Sequence, residues 1–412
     1  MASGCAFSVW GGGGYARKTV KRGSARNRTI DRWVGIPLVR IAGLLRRRRG
    51  IPAEVRRVGV MTSTTLGDTL LASGAVQDVQ AIWPDAELVF FAAAQNRAAA
   101  ELLPAVDRVA EFALTRPLAA IACLRREKLD VLVDFSGWQR LAALLTARSG
   151  AKFTAGFRRP GQHRHFAYDF VAEHRGDRHE TENFRAMVVG LREKAGAAAE
   201  EFHALALRED VWQTELDKQW RDAVVFHCWA TGTAHSLREW PEQRWVELAG
   251  RLHQRWPAAK FVLTGGAADV AGSEELVGRL RAAGFSAEVF SASGLDNVAR
   301  LMRAARLVVS VNTGTMHLAA IVGAPVVSIN GPNRHGRWGP VGARAVSVEA
   351  PGQGCGYLDL GWEWRLDPSA NGVHSNCMER ISVDAVMAAV DTALGSDAGA
   401  ARAGSETSVG AH

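Results

Sequence analysis

The segment whose residue types best suit a binding site is a short polar turn between two apolar stretches. The sequence "RLVVSV" predicts a buried strand and "TMHLAAIVG" a helix, so Asn312, Thr313 and Gly314 form the turn between them. Ligands of open α/β sheets bind at such turns, at the carboxyl ends of parallel strands. The first amides of the helix lack internal partners and lie at the positive end of its dipole. The turn therefore predicts a phosphate or diphosphate site, with added hydroxyls from Thr313 and Thr315. The alternative is an ordinary helix cap without a ligand.

The elements around this turn alternate between strand and helix, a pattern typical of parallel sheets covered on both faces. One series begins at "VRRVGVMTSTTLGDTLL", and after a polar, helix-rich stretch a second begins at "AVVFHCWA". The sequence predicts an α/β protein of two doubly wound, Rossmann-like domains that face a central cleft. We place them at residues 55–205 and 206–395, after an N-terminal extension of residues 1–54. The small, polar residues 396–412 are predicted to be disordered.

The positive charge of the chain is concentrated in the N-terminal extension. The net charge is +8, yet residues 1–57 hold fourteen Lys and Arg against two acidic residues, so the remainder is slightly acidic. A nucleic-acid-binding body is therefore excluded. Residues 31–49, "DRWVGIPLVRIAGLLRRRR", mix apolar and basic positions. They predict either a helix resting on an anionic membrane or a helix packed on the body with a basic end. No signal sequence or membrane span is recognised, which predicts a cytoplasmic protein.

Five cysteines without any C-x-x-C pair argue against a disulfide framework and predict reduced thiols. Cys355, His374 and Cys377 raise the question of a metal site. Three ligands fall short of the tetrahedral set of a structural zinc, so we expect no metal.

Several motifs, in order, resemble glycosyltransferase family 9, the heptosyltransferases of lipopolysaccharide assembly and their relatives. The chain has "NTGTMHLAA" followed by "APVVSI" and "NGP" where the family has an (Asp)-(Thr/Ser)-Gly-x-x-His-x-Ala-Ala helix, "PVV" and Gly-Pro. It also has "TTLGDTLLASGAV" for the family's Leu-Gly-Asp segment and "LREWPEQRW" for its Lys-x-Trp-Pro segment. The likeness runs over roughly residues 55–395.

The resemblance implies a GT-B fold, with the acceptor bound by the first domain and a nucleotide-sugar donor by the second. It implies an inverting, metal-independent glycosyltransferase without a required cofactor. Asp68 matches the family's proposed catalytic base, a carboxylate that takes the proton of the attacking hydroxyl. The alternative is that Asp68 only caps its helix.

On the donor side, Arg238 stands at the family's phosphate-binding Lys position, which keeps the charge but changes its geometry. His317 faces either the donor or the neighbouring strand. The other candidate donor contacts lie on turns of the second domain. For the diphosphate they are Thr231, Thr233, Thr313, Gly314 and Thr315, and for the sugar or nucleoside Asn312, Gly265 and Gly266.

One departure from the family concerns the donor. Asn312 stands where the family usually has Asp, and an amide both donates and accepts without carrying charge. ADP-heptose is the first expectation for the donor, with another nucleotide sugar as the alternative. The expected acceptor is a saccharide, a glycolipid or a glycoprotein, such as lipopolysaccharide core. A sugar-nucleotide epimerase of the same fold and a non-catalytic nucleotide-sugar-binding protein are the other interpretations.

Overall fold

The protein consists of two α/β lobes, each built on a six-stranded sheet in which every strand is parallel to its neighbours. The computed structural model describes residues 29–44, 47–231, 235–290, 292–351 and 376–395. None of the helices in these ranges has the length and apolar character needed to cross a bilayer.

The first lobe has the strand order β3-β2-β1-β4-β5-β6. Its strands are β1 (Arg57–Thr62), β2 (Glu87–Ala92), β3 (Arg108–Glu111), β4 (Val131–Asp134), β5 (Phe153–Arg158) and β6 (Phe170–Glu173). A π-helical turn (Asp31–Gly35) and α1 (Ile36–Leu44) precede them. The remaining helices are α2 (Leu66–Leu71), α3 (Ser73–Ile82), α4 (Arg97–Ala100), α5 (Pro117–Arg126), α6 (Arg140–Arg148), a 3-10 turn (Arg164–Ala167) and α7 (Glu180–Ala195).

The second lobe repeats this topology, with the order β12-β11-β10-β7-β8-β9. Its strands are β7 (Val224–His227), β8 (Phe261–Leu263), β9 (Ala287–Val289), β10 (Leu307–Val311), β11 (Val326–Asn330) and β12 (Ala345–Glu349). Its helices are α8 (Glu242–Arg255), α9 (Val270–Ala282), α10 (Leu295–Ala304), α11 (Gly314–Ile321), α12 (His335–Trp338) and α13 (Val383–Gly395). Short 3-10 turns occur at Glu209–Trp212, Lys218–Trp220, His235–Arg238 and Ala267–Asp269.

Each sheet is apolar on both faces because helices cover both sides of it. In β1, Val58 and Val60 belong to one hydrophobic cluster, while Met61 points to the opposite face and belongs to another. The same alternation in β10 places Val309 and Val308 in different clusters. Near-continuous apolar strands are typical of parallel sheets that are buried on both faces. The alternation of such strands with helices in the sequence therefore predicts this fold correctly.

The two lobes share a hydrophobic cluster at the contact between α2 and α11. Leu70 of the first lobe and Met316 of the second are both fully buried in it. Burying apolar surface contributes about 25 cal/mol per Å2 to stability, so this shared cluster stabilises the contact between the lobes. The site described below lies beside it.

The N-terminal helical segment packs on the first lobe. Val39 is fully buried in a cluster with Ala143, Ala167 and Tyr168. Asp31 accepts a hydrogen bond from the backbone amide of Arg140 at 3.2 Å and forms an ion pair with its side chain. One of the two interpretations of residues 31–49, packing on the body, is therefore confirmed for residues 31–44. The opposite side of the segment remains exposed.

Candidate active site

The candidate site lies where the strand order of each sheet reverses. β1 and β4 are neighbours in the first sheet, and β7 and β10 in the second. In open α/β sheets such switch points leave a crevice at the carboxyl ends of the strands. α2, which carries Asp68, follows β1, and α11, which follows Asn312 and Thr313, comes after β10.

The start of α11 lacks a side-chain cap. Thr313 is the N-cap residue in extended conformation, but its side chain makes no capping hydrogen bond. Its Oγ1 is buried without a hydrogen-bond partner. A buried hydroxyl without a partner costs free energy unless a ligand or water satisfies it. The capping alternative therefore does not explain Thr313, whose hydroxyl has no partner at the start of α11.

His317 lies one turn into α11 and is almost completely buried. Burial, together with the nearby His179, lowers the pKa of His317 to about 3, so the ring is neutral at physiological pH. Its Nδ1 also has no hydrogen-bond partner. A Cβ atom on Gly67 would lie 3.0 Å from Cδ2 of this ring, so the imidazole packs against the turn that carries Asp68.

Asn312 is held by an amide network inside the second lobe. Its Nδ2 donates to Asn330 Oδ1 at 2.6 Å and to the Trp338 carbonyl at 2.9 Å. Its Oδ1 accepts from Asn333 Nδ2 at 2.7 Å. Because both ends of the amide are used, Asn312 positions the turn and α12 in this structure. Its predicted contact with the donor remains a prediction.

Asp68 combines helix capping with exposure to the crevice. Its Oδ2 accepts hydrogen bonds from the Thr65 amide at 3.2 Å and from Thr65 Oγ1 at 2.9 Å, and Thr65 Oγ1 accepts from the Asp68 amide. This reciprocal pair is a capping box. The same side chain lines a cavity between the lobes. The capping interpretation is thus correct as geometry, and it fixes the carboxylate at the cavity wall.

The cavity is narrow, with a volume of about 20 Å3. That is room for about one water molecule. Its walls come from both lobes and include Trp138, a candidate for stacking on a sugar ring. The residues of the wall that were not singled out from the sequence are Phe135, Gly137, Arg159, His174, Glu180, Phe184, Arg337 and Trp338. Two guanidinium groups, those of Arg159 and Arg337, therefore share the cavity wall with Asp68.

An ion-pair chain crosses between the lobes at this cavity. His174 Nε2 donates to Glu180 Oε1 at 2.8 Å, and Arg337 from the second lobe lies 3.5 Å from Glu180 Oε2. Burial alone would raise the pKa of Glu180, but the charges of His174 and Arg337 lower it to about 2. The carboxylate is therefore ionised, and it ties α7 to α12.

A second cross-lobe contact lies next to the ion pairs. His179 is the N-cap of α7 and accepts from the Thr181 amide through Nδ1, so its Nε2 carries the proton that is donated to the Gly339 carbonyl at 3.1 Å. Burial lowers the pKa of His179, which favours this neutral form. In the sequence, "HET" at a helix start indicates only an ordinary cap. It holds no signal for the contact of His179 with the other lobe.

The loop after β7 contains two other predicted diphosphate contacts. Arg238 donates to the carbonyl of Thr231 from the 3-10 turn that follows the loop. Burial lowers the pKa of Arg238, yet an arginine stays charged at neutral pH. Thr233 lies outside the described residues. Arg238 and Thr231 are thus adjacent to each other, on a different turn from Gly314.

Gly265 and Gly266 follow β8 at the same edge of the sheet. The Gly266 amide donates to Asp269 Oδ2 at 2.8 Å. A Cβ atom on Gly265 would lie 3.2 Å from Cδ1 of Trp229, whose indole donates to Ser273 Oγ at 2.8 Å. The glycine therefore allows the backbone to approach a fixed aromatic ring, and its predicted role toward the nucleoside remains a prediction.

The cysteines differ from expectation at one position. Cys123 and Cys228 are free thiols, but Cys377 is buried and disulfide-bonded. The prediction of reduced thiols is therefore wrong for Cys377, because a disulfide requires proximity in the fold and no short sequence spacing. Cys355 and His374 lie outside the described residues. Among the residues that are described, no group of three or more His, Cys, Asp or Glu side chains could hold a metal ion.

Two Rossmann-like lobes that meet at the switch points of both sheets define a protein of the GT-B class. Escherichia coli heptosyltransferase WaaC with ADP has the same fold, with a TM-score of 0.65 and 22% identity over 82% of this chain and 99% of that one. The structure of Escherichia coli ADP-heptose lipopolysaccharide heptosyltransferase II matches with a TM-score of 0.63 and 20% identity, over 83% of this chain and 99% of that one. The predicted GT-B fold is confirmed.

The family model described as Glycosyltransferase family 9 (heptosyltransferase) matches residues 118–356, and the chain belongs to this family. Lipopolysaccharide heptosyltransferase 1 of Escherichia coli O18:K1:H7 (strain RS218 / NMEC) is 35% identical over 132 residues, which are 32% of this chain and 39% of that protein. The chain matches between 32% and 40% of the length of such curated relatives. The resemblance in the motifs is thereby confirmed at the level of the family.

Proposed function

We propose that this protein is an inverting glycosyltransferase that moves a sugar from a nucleotide-sugar donor to a saccharide acceptor. The donor that we propose first is ADP-heptose, from which heptose is transferred. The observation that carries the proposal is the uncapped start of α11, where Thr313 Oγ1 is buried without a partner. It lies against the turn of Asp68, because a Cβ atom on Gly67 would be 3.1 Å from the Cα of Gly314. A diphosphate site and a carboxylate from the opposite lobe are the two parts that glycosyl transfer needs.

In this proposal the second domain, residues 206–395, holds the donor. The amides of Thr313 to Thr315 bind the diphosphate, and Arg238 and Thr231 contact it from the neighbouring turn. Amides and a guanidinium fixed before the reaction stabilise the negative charge that grows on the leaving group. No metal or other cofactor is needed for this step, since the positive end of α11 and Arg238 provide the counter-charge.

The first domain, residues 55–205, holds the acceptor. Its hydroxyl attacks the anomeric carbon from the face opposite the diphosphate, so that a new carbon–oxygen bond forms as the bond to the diphosphate oxygen breaks. Asp68 accepts the hydroxyl proton. The hydrogen bonds that Thr65 donates hold the carboxylate in place before the reaction.

The acceptor is proposed to be a lipopolysaccharide core sugar or another glycolipid or glycoprotein glycan. Arg159 and Arg337 line the cavity together with Asp68 and Glu180, so charged groups of both signs are available to the hydroxyls of a sugar. Because the cavity is narrow, acceptor entry requires the lobes to separate, with the contacts of Glu180 and His179 reforming on closure. We propose a cytoplasmic location for the enzyme, where nucleotide sugars are available.

The alternatives are separated by product analysis. An epimerase changes the donor sugar in the absence of acceptor, whereas a transferase releases nucleoside diphosphate only when acceptor is present. A non-catalytic protein binds the donor and releases nothing. Membership of a glycosyltransferase family favours the transferase.

A thermal-shift screen with ADP, UDP and GDP tests the donor site. A ligand that binds only the folded state at about one hundred times its Kd adds about 2.7 kcal/mol of stability. We expect ADP to stabilise most, and Thr313→Val to reduce the shift. Thr392→Val, on the exposed surface of α13, is the matched control and should keep it. Equal shifts in Thr313→Val and the parent, or no shift with any diphosphate, would contradict the proposal.

A further inference from the structure

The N-terminal helical segment presents an unusually apolar outer surface. Twelve large hydrophobic side chains are exposed among the described residues, and six of them belong to this one segment. We call these six the N-terminal apolar face: Ile30, Trp33, Val34, Leu38, Ile41 and Leu44. Trp33 is 74% exposed and Leu44 is 86% exposed. Contiguous exposed apolar residues mark interaction surfaces, whereas scattered ones need no explanation.

The orientation of this face is fixed by packing on its other side. Val39 and Ala42 are buried against the first lobe, and Gly43 lies so close to the Arg164–Ala167 turn that a Cβ atom would be 2.7 Å from Cβ of Phe166. The ion pair of Asp31 with Arg140 holds the start of the segment. Because one side is anchored, the apolar face cannot turn inward without breaking these contacts.

The charges around the face have one sign. Arg32, Arg40, Arg47 and Arg48 are all exposed. Asp31 is the acidic residue of this segment, and it is directed toward Arg140. A positively charged apolar surface repels a second copy of itself but fits a surface that is negatively charged and has an apolar layer beneath. Anionic lipid bilayers have both properties.

We propose that the N-terminal apolar face rests on an anionic membrane surface, with Trp33, Leu38 and Ile41 at the level of the headgroups and the arginines on lipid phosphates. Tryptophan favours this boundary because its ring is amphipathic. Asp31 meets Arg140 at the start of α6, shortly after Gly137 and Trp138 of the cavity wall. The contact therefore holds the acceptor lobe, at its crevice edge, close to the bilayer.

The test is co-sedimentation of the full chain with vesicles, without donor or acceptor, so that the outcome is independent of the proposed enzyme activity. Vesicles of phosphatidylcholine with about 30% phosphatidylglycerol are compared with phosphatidylcholine alone. We expect binding to the anionic vesicles that weakens as NaCl rises from about 0.1 to about 0.5 M. Trp33→Glu with Leu38→Glu should lower the affinity about tenfold or more. Arg47→Gln with Arg48→Gln should lower it roughly fivefold for each arginine.

The matched control is Leu118→Glu with Val189→Glu, two exposed apolar residues on α5 and α7 of the same lobe. This variant should bind vesicles like the parent. Equal binding to neutral and anionic vesicles, or unchanged binding by the Trp33 and Leu38 variant, would overturn the proposal. So would a dimer in light scattering that the same variant dissociates, since the face would then bind a second copy. A large fall in the thermal stability of that variant would show that the face is covered within the molecule, which also contradicts the proposal.

Discussion

Gly67 and Gly314 face each other across the two lobes, with a Cβ atom built on Gly314 only 2.9 Å from the Gly67 amide nitrogen and 2.6 Å from Cδ2 of Leu66. The turn that carries Asp68 therefore touches the start of α11 directly. Gly314 leaves no room for a side chain, and a Cβ atom on Gly67 would be tightly packed, 3.0 Å from the ring of His317. This contact places the turn that carries Asp68 against the uncapped start of α11 at the boundary between the lobes. It is the geometric basis of the proposed function.

Replacing Gly314 by Ala should force the two lobes apart at this contact. The backbone of Gly67 cannot move aside as a flexible side chain can, so we expect a loss of about 1–3 kcal/mol in the free energy of unfolding. ADP-dependent stabilisation should also fall. Gly278→Ala in α9 is the control, because a Cβ atom there meets nothing within 4 Å. It should be neutral or stabilising by up to about 1 kcal/mol. Full ADP stabilisation in Gly314→Ala would argue against the proposed diphosphate site.

The two roles of Asp68 are separable by a pair of variants. Asp68→Asn keeps a side chain of similar shape but cannot take a proton, so turnover should fall by about 100- to 10,000-fold. Thr65→Ala removes the capping partner and leaves the carboxylate, which should cost about 1 kcal/mol of stability with a much smaller loss of turnover. Kinetics with ADP-heptose and denaturant unfolding of both variants provide the comparison. If Thr65→Ala lost as much activity as Asp68→Asn, capping would be the main role of the carboxylate.

Asn312→Asp, which restores the residue usual in the family, should destabilise this chain. The new carboxylate would face two oxygens, Asn330 Oδ1 and the Trp338 carbonyl, which now accept from the amide. Two hydrogen-bond acceptors that face each other without a proton between them lower the free energy of unfolding by about 1–3 kcal/mol. Protonation restores a donor, so the difference from the parent in unfolding free energy should shrink toward acidic pH. Asn376→Asp, at an exposed position, should show neither effect. A stable Asn312→Asp variant would mean that the network rearranges.

The ion pair between Glu180 and Arg337 should make the contact between the lobes sensitive to acid. The pKa of Glu180 is about 2 in the folded protein, below the ordinary value of 4.5, so its contribution is present above pH 4.5 and is lost as pH falls toward 2. Glu180→Gln should remove this part of the pH dependence. It should also destabilise the protein at pH 7, because Arg337 would remain buried without its carboxylate. Unfolding free energies measured between pH 7 and 3 test both points, and parallel curves for the two proteins would contradict them.

His317 should add an acid sensitivity at higher pH. Its folded pKa of about 3 lies below the ordinary 6.5, so the unfolded chain binds a proton that the folded chain does not. Stability is therefore lost as pH falls below 6.5, by about 2 kcal/mol between pH 7 and pH 5 from this residue alone. His317→Gln should flatten the unfolding curve in that range by the same amount. An unchanged slope would show that the ring becomes protonated in the folded state.

The fold was largely predictable because its signals are local. Apolar strands followed by helices occur along the chain, and parallel sheets covered on both faces follow from that alternation. The turn of Asn312 to Gly314 and the position of Asp68 in a helix start are likewise read from a few adjacent residues. The same local reading left an ordinary helix cap as the alternative at this turn, and packing decided against a cap by Thr313, since its hydroxyl is buried without a bond.

What the sequence determined by itself is the alternation of elements, the polar turns at strand ends and the basic character of the N-terminal extension. The tertiary structure decided which distant residues meet: Glu180 with Arg337, Asn312 with Asn333, and Asp31 with Arg140. It also decided which side of the N-terminal helix is exposed. The physical reason is that periodicity and capping depend on neighbours within a few residues, whereas ion pairs and contacts between lobes depend on how whole sheets and helices pack.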